Sequence, residues 1–350
     1  MVNPEFWAGR RVLLTGHTGF KGAWLALWLA RLGARVHGLA LPPETQPNLF
    51  AEALGPTDIE SHIADLRDPA AVARVVEAAA PEVVLHLAAQ PLVRRSHAEP
   101  VETFATNVMG TAHLLQALRP LTGLRAVVIV TSDKAYLNRE WVWPYREEEA
   151  LGGKDPYSAS KACTEILAGA WRQSFFGGGV VATARAGNVI GGGDWAADRL
   201  LPDLVRAIRA GRPLELRNPD ATRPWQHVLE PLAGYLMLAE RLAAGGCAEA
   251  WNFGPEEAEA LPVSAVAAEA AAAWGGGVKI RLAAERGPAE AMQLRVDSSK
   301  ARARLGWRPR LPTAEAIAWT MRWYARHAAG EPARALALEQ IDAYAEKARA

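Results

Sequence analysis

Short apolar runs alternate with helix-length stretches along the first half of the chain. Residues 11–15 (RVLLT) are mostly apolar, and residues 23–32 after them have a helix-like texture that Gly33 ends. Residues 35–40 (RVHGLA) then resume a strand. Strand, helix and strand fit into about thirty residues, the length of a βαβ crossover. The alternation continues with strands at 58–64, 82–87, 126–130 and 180–186 and helices at 69–80, 101–118 and 157–174. Near-continuously apolar strands separated by helices predict an α/β fold, with a parallel sheet covered on both faces.

After Gly187 the texture changes. GNVIGGGDW is glycine-rich, and arginines recur at 199, 206, 209, 212, 217 and 223. Residues 231–244 and 250–254 have the pattern of a helix and a strand that return to the sheet. The last third is alanine-rich and helical, and its final twenty or so residues read as a loose helix. The expected division is a sheet domain over 1–187, rejoined by 228–256, and a smaller lobe from 188–227 and 257–350.

Composition excludes some functions. The 350 residues carry a formal net charge of +1 with no long block of like charge, so neither nucleic acid nor a membrane surface is expected as partner. The most apolar helical stretch, 23–30, lies between Lys21 and Arg31 and is shorter than the roughly 18–20 residues of a membrane span. The N-terminal residues lack a secretory h-region, so a cytoplasmic location is expected. Cys163 and Cys247 have no metal or disulfide spacing, and no metal site is expected.

The candidate chemistry lies at strand ends. TGHTGFKG places Gly16, Gly19 and Gly22, with Thr18, Phe20 and Lys21, between the first strand and the first helix. Glycines there allow close approach of backbone to a pyrophosphate at a helix N-terminus, which predicts dinucleotide binding. The second strand ends Leu39-Ala40-Leu41 without the acid that would mark NAD or an arginine that would mark NADP. Asp65 and Leu66 suit the adenine end, and Leu87, Ala88 and Ala89 the middle of the cofactor.

DPYSASK puts Tyr157 and Lys161 one turn apart on one helix face. A tyrosine, pKa ~10 when free, takes a proton from an alcohol only when a cation favours tyrosinate. Ser132, just past the 126–130 strand, is placed to hydrogen-bond the same alcohol. The next two residues, Asp133 and Lys134, offer an acid and a base at the mouth of the same pocket.

TGHTGFKG, ADLRD, HLAAQ, Asn107 in TNVMGT, YSASK, RPWQHV and LGWRP together resemble the extended short-chain dehydrogenase/reductase family, over nearly the whole chain. The resemblance implies a doubly wound parallel Rossmann sheet with a smaller C-terminal lobe, NAD as cofactor, and hydride chemistry at sugar C4 by Tyr157, Lys161 and Ser132. It extends Asn107 to the cofactor site and assigns Asn188, Arg199, Leu201, Pro202 and Arg223 to a nucleotide-sugar substrate.

Within the family, an acid and base after that strand resemble the nucleotide-sugar 4,6-dehydratases. There Asp133 protonates the departing C6 hydroxyl, and Lys134 takes the C5 proton. Relatives acting on dTDP-glucose and GDP-mannose have Glu at the place of Lys134. A lysine of ordinary pKa is neutral in only roughly one copy in a few thousand at pH 7, so Lys134 is either a desolvated base or a fixed cation beside a developing enolate. An Asp–Lys pair is similar to dehydratases of CDP-glucose and to some of UDP-N-acetylglucosamine. The text around NREWVWPYREEEALGG, ARAGNVIGGGDWAADRLLPD and RNPDATRPWQHVLEPL favours CDP-glucose. A 4-epimerase would not need the Asp–Lys pair, and a non-catalytic dinucleotide sensor would not need Tyr157 or Lys161. The helices at 101–118 and 157–174 resemble those of a family homodimer interface.

Overall fold

A computed structural model describes residues 1–256, 259–283 and 292–349. Seven strands form the central sheet: β1 (Arg11–Thr15), β2 (Arg35–Ala40), β3 (Glu60–Ile63), β4 (Val83–His86), β5 (Ala126–Val130), β6 (Val181–Ala186) and β7 (Ala250–Phe253). Their spatial order is β7-β6-β5-β4-β1-β2-β3, and every neighbouring pair is parallel. The chain leaves β1 toward β2 and β3, then crosses back to place β4 on its other side. The sheet therefore reverses winding between β1 and β4, where the crevice of a doubly wound fold lies.

The pleat decides which helices cover which face. Leu13, Val84, Val127 and Ile129 point to one side, where Val72, Val75 and Val76 of α2 (Pro69–Ala79) pack with Leu114, Leu115 and Leu118 of α3 (Gly110–Leu118). Ala168 of α4 (Pro156–Phe175) joins them. Val12, Leu14, Val128 and Ala182 point to the other side, against Trp24, Leu25 and Trp28 of α1 (Phe20–Arg31) and Leu229–Leu238. Both faces are dry, which is why the strands carry little polar alternation.

The predicted helix over 101–118 is one helical run with a change of winding. It begins at Pro100–Phe104, passes through a π turn at Ala105–Met109 and continues as α3. The wide turn swings Asn107 inward, where its Oδ1 accepts from the Gln90 amide at 2.8 Å and its Nδ2 donates to Ser160 Oγ at 2.9 Å. Helix α5 (Leu200–Arg209) and short paired strands follow, Val189–Ile190 with Gln226–His227 and Leu214–Leu216 with Ile280–Leu282. Then come α6 (Leu229–Ala243), α7 (Val263–Trp274), α8 (Thr313–Ala328) and α9 (Ala333–Arg349). The final helix is not loose: Leu336, Ala337, Ile341 and Tyr344 of α9 are buried. Tyr344 meets Trp28 edge to face, with ring centroids 5.8 Å apart. Its periodicity alone did not show that a partner face was waiting on α1.

Candidate active site

A cavity of about 570 Å³ opens at the carboxyl ends of the strands, beside the winding switch. Gly16, Thr18, Gly19, Phe20, Lys21 and Gly22 form its floor. Gly16 has φ +78°, and a Cβ there would lie 2.7 Å from the Ala88 nitrogen. A Cβ at Gly22 would collide with the Gly16 carbonyl. Gly19 caps α1 without a side-chain acceptor, so amides of the first turn are left for an anion at the cavity floor. Thr18 Oγ1 donates to the Leu41 carbonyl at 2.9 Å and ties the loop to the end of β2. Asp65, Leu66, Leu87, Ala88 and Ala89 line the same cavity. This cradle, closed to any side chain, fits a dinucleotide such as NAD.

Ser132 ends the extended segment after β5 and caps a short 3₁₀ turn at Asp133–Ala135. Its Oγ accepts from the Lys134 amide at 3.2 Å and donates to Asp133 Oδ1 at 3.0 Å. Across the cavity, Asp155 caps α4 by accepting from the Ser158 amide at 2.9 Å, and Pro156 occupies the first turn. That start sets Tyr157 and Lys161 one turn apart, both buried and both on the cavity wall with Ser132, Asp133 and Lys134.

Burial raises Asp133 above the usual carboxylate range, against the pull of Lys134, Ser132 and Arg223. Its Oδ2 has no hydrogen-bond partner among the described residues. Burial pushes Tyr157 up to about 12; Ser132 and Arg199 act to lower it and Asp133 to raise it. Lys161, brought down to about 8 by burial against the attraction of Glu165, donates to the Val130 carbonyl at 3.3 Å. Lys21 is brought to about 7 by burial and by Lys161 and Arg199, and donates to Tyr235 OH at 3.2 Å.

On the far wall lie Asn188, Arg199, Leu201, Pro202 and Arg223. Arg199 Nη1 donates to Asp194 Oδ2 at 2.9 Å. Arg223 is buried beside Asp133, and its Nη1 donates to the Thr222 carbonyl at 3.0 Å. Trp195 also lines the cavity. Asn107 does not: it stands behind the wall and fixes the backbone of Gln90, which does. His86 and His227 are core groups, the former bonded to Thr15 Oγ1 at 2.7 Å and Thr111 Oγ1 at 2.9 Å.

Residues 13–320 match the family model described as GDP-mannose 4,6 dehydratase. The chain belongs to this family. Among dehydratase relatives, a CDP-glucose 4,6-dehydratase of Salmonella typhimurium is 47% identical over 98% of each chain. A dTDP-glucose 4,6-dehydratase of Xanthomonas campestris is 29% identical, over 89% of this chain and 92% of its own. The solved dTDP-glucose 4,6-dehydratase of Streptomyces venezuelae, with NAD and TYD bound, superposes with a TM-score of 0.76. It is 25% identical and covers 92% of this chain and 99% of its own. The fold of this dehydratase-family member is accordingly that of the extended short-chain dehydrogenases/reductases.

Several groups around the site were not legible from spacing. Arg94 and Arg217 line the cavity and share Asp198, at 2.8 and 2.6 Å. Ser96 Oγ accepts from the Tyr157 amide at 3.1 Å and steadies the start of α4. Glu165 takes both Arg185 Nε and Nη2 at 2.9 Å, under the strand ends that deliver Ser132. Its one visible sign was its position four residues after Lys161 on the same helix face.

Proposed function

We propose that this chain converts CDP-glucose to CDP-4-keto-6-deoxy-glucose and water, using NAD. The observation that carries the proposal is Asp133: a buried acid, one oxygen of which has no hydrogen-bond partner among the described residues, in the same cavity as Ser132, Tyr157 and Lys161. A 4-epimerase has no step that needs such an acid. The 47% identical relative named for CDP-glucose supports the choice of nucleotide.

NAD, when bound, would supply a hydride acceptor for C4 and a hydride donor for C6, so the net change is loss of one water from the sugar. Tyr157 takes the C4 hydroxyl proton, with Ser132 holding the same oxygen. The resulting 4-ketone acidifies C5–H. Lys134 takes the C5 proton while Asp133 gives its own to the C6 hydroxyl, which leaves as water, and C5 regains a proton when the hydride arrives at C6. Because burial keeps Asp133 protonated to higher pH than an exposed acid, it is ready to donate. Arg199 and Arg223 suit the diphosphate, with Asn188 beside them and Leu201 and Pro202 against the base. In this reading the lobe of 188–227 and 257–350, of which 257–258, 284–291 and 350 lie outside the described residues, binds the sugar, while 1–187 and 228–256 hold the cofactor. Product of this kind feeds deoxysugars of bacterial surface polysaccharide such as O-antigen, made in the cytoplasm. Among the described residues, no helix is long and apolar enough to cross a membrane.

Purified protein incubated separately with CDP-, dTDP- and UDP-glucose and UDP-N-acetylglucosamine tests the proposal, with mass spectrometry following loss of one water. Loss from CDP-glucose alone is expected. Loss only from UDP-N-acetylglucosamine moves the assignment to that dehydratase, and no loss even with added NAD overturns dehydration altogether.

A homodimer belongs to the same proposal. Val101 is 81% exposed, Met109 51% and Ile166 63%, a run of bare apolar side chains along the 100–118 helical run and α4. Pairing two copies through these helices would bury them. Sedimentation of the wild type should give a dimer and Ile166→Glu a monomer; a monomeric wild type would refute the interface.

A further inference from the structure

The edge strand β3 carries a group of side chains that the dehydration chemistry does not use. The β2–β3 register sets His37 opposite Glu60 and Leu39 opposite His62. Positions two apart on a strand share a face, so His37, Glu60 and His62 project from the same side of this edge pair. His37 Nδ1 lies 3.6 Å from Glu60 Oε2, and His62 Nε2 lies 3.3 Å from Glu60 Oε1. The two ring nitrogens are 3.5 Å apart, with ring planes 8° from parallel. All three donor atoms fall within 4.8 Å of one another.

Each imidazole faces a different oxygen of the Glu60 carboxylate, and these separations approach those of a coordination polyhedron. Zinc bonds to imidazole nitrogen and carboxylate oxygen run about 2.0–2.2 Å, which places tetrahedral donors about 3.3–3.6 Å apart. Two imidazoles and one carboxylate suit a borderline transition ion; calcium and magnesium prefer oxygen throughout. As a purely electrostatic cluster the same residues would contribute little, since an exposed carboxylate–histidine pair gains at most about 1 kcal/mol. Two imidazole nitrogens at 3.5 Å also make a poor hydrogen bond.

We propose that His37, Glu60 and His62 bind one divalent transition ion, best matched by zinc, with a fourth position open to water. The bound ion would tie the short edge strand to its neighbour. That tie has a structural reach: Ala40 ends β2 and Leu41 follows it, Ala64 and Asp65 follow β3, and all four line the cofactor cavity. Cysteine–histidine spacing gave no sign of the site because its ligands meet only when β2 and β3 pair.

Untagged full-length protein, stripped with EDTA and dialysed, is titrated with zinc in a calorimeter. One equivalent per chain is expected, with a rise in melting temperature on zinc addition. Cobalt in place of zinc should show visible d–d bands. His37→Ala and His62→Ala should each weaken binding at least tenfold and abolish the melting shift. Glu60→Gln, on an exposed side chain of unchanged size, should weaken it too. Circular dichroism without metal checks that the variants fold, and Glu60→Gln suffices should a histidine variant not. Absence of saturable binding, or binding undiminished in the folded variants, would overturn the site.

Discussion

Burial pushes the Tyr157 phenol to about 12, while Ser132 and Arg199 favour its ionised form. The positive charge of an oxidised nicotinamide would add to the latter side. Tyr157→Phe should therefore abolish C4 oxidation, read as loss of any transient reduced-cofactor absorbance. Asp133→Asn keeps shape but cannot donate a proton as an acid, so dehydration should fall about 10²–10⁴-fold while C4 oxidation persists. Lys134 distinguishes two chemistries. A neutral base cannot be replaced by arginine, whereas a fixed cation can. Wash-in of solvent deuterium at C5 by Lys134→Arg would identify the cation, and its loss the base. Sequence brought these residues together because a strand end, a helix start and a glycine loop each have local signatures. Ser96, Arg94 and Asp194 have none, since each acts through a neighbour that only the folded chain supplies.

At the level of elements, the join between α4 and the strands rests on a buried ion pair. Glu165 holds Arg185 through two bonds of 2.9 Å, while Thr183 donates to it at 2.6 Å. Arg185 also reaches Tyr136 OH at 2.8 Å and the Glu147 carbonyl at 3.0 Å. Arg185→Met strands a buried carboxylate and should cost about 3–5 kcal/mol in denaturant unfolding; pairing it with Glu165→Leu should recover part of that loss. A cost below about 1 kcal/mol would show that the pair is not a support. Strand and helix order was readable from alternation and glycine stops. The π turn at Ala105–Met109 was not, because its cause is Asn107 reaching Gln90 and Ser160 from other segments.

Across the whole molecule, buried titrating groups set the response to acid. Burial lowers His17 to about 4 and His86 and His227 to about 3, from an ordinary value of 6.5. Each stays neutral in the folded chain but takes a proton when unfolded below about pH 6.5, so stability falls as pH drops from there toward 3–4. By pH 5 the loss is roughly 2 kcal/mol per histidine. Glu230, raised to about 7 by burial, works the other way: its contribution is full below the unfolded value of 4.5 and is lost as pH rises through 7. The three histidines outweigh Glu230 and predict a net loss between pH 7 and 5, measured by chemical denaturation, which the other raised carboxyls, Asp133, Glu147, Asp203 and Glu240, make smaller. His86→Gln should flatten the slope by about one proton. The layered architecture was legible from the sequence because buried parallel strands lack polar alternation. The destination of α9 was not, since a helix's apolar stripe does not name the surface that covers it.

The last strand of the sheet also imposes a timetable on synthesis. β6 ends at Ala186 and its outer neighbour β7 ends at Phe253, so 253 − 186 = 67 further residues must be added before that edge is paired. At about 5–20 residues per second, the ribosome leaves the apolar edge of β6 bare for about 3–13 seconds. During that interval the nascent chain presents an unpaired strand edge, the kind of surface that recruits chaperones or another unfinished chain.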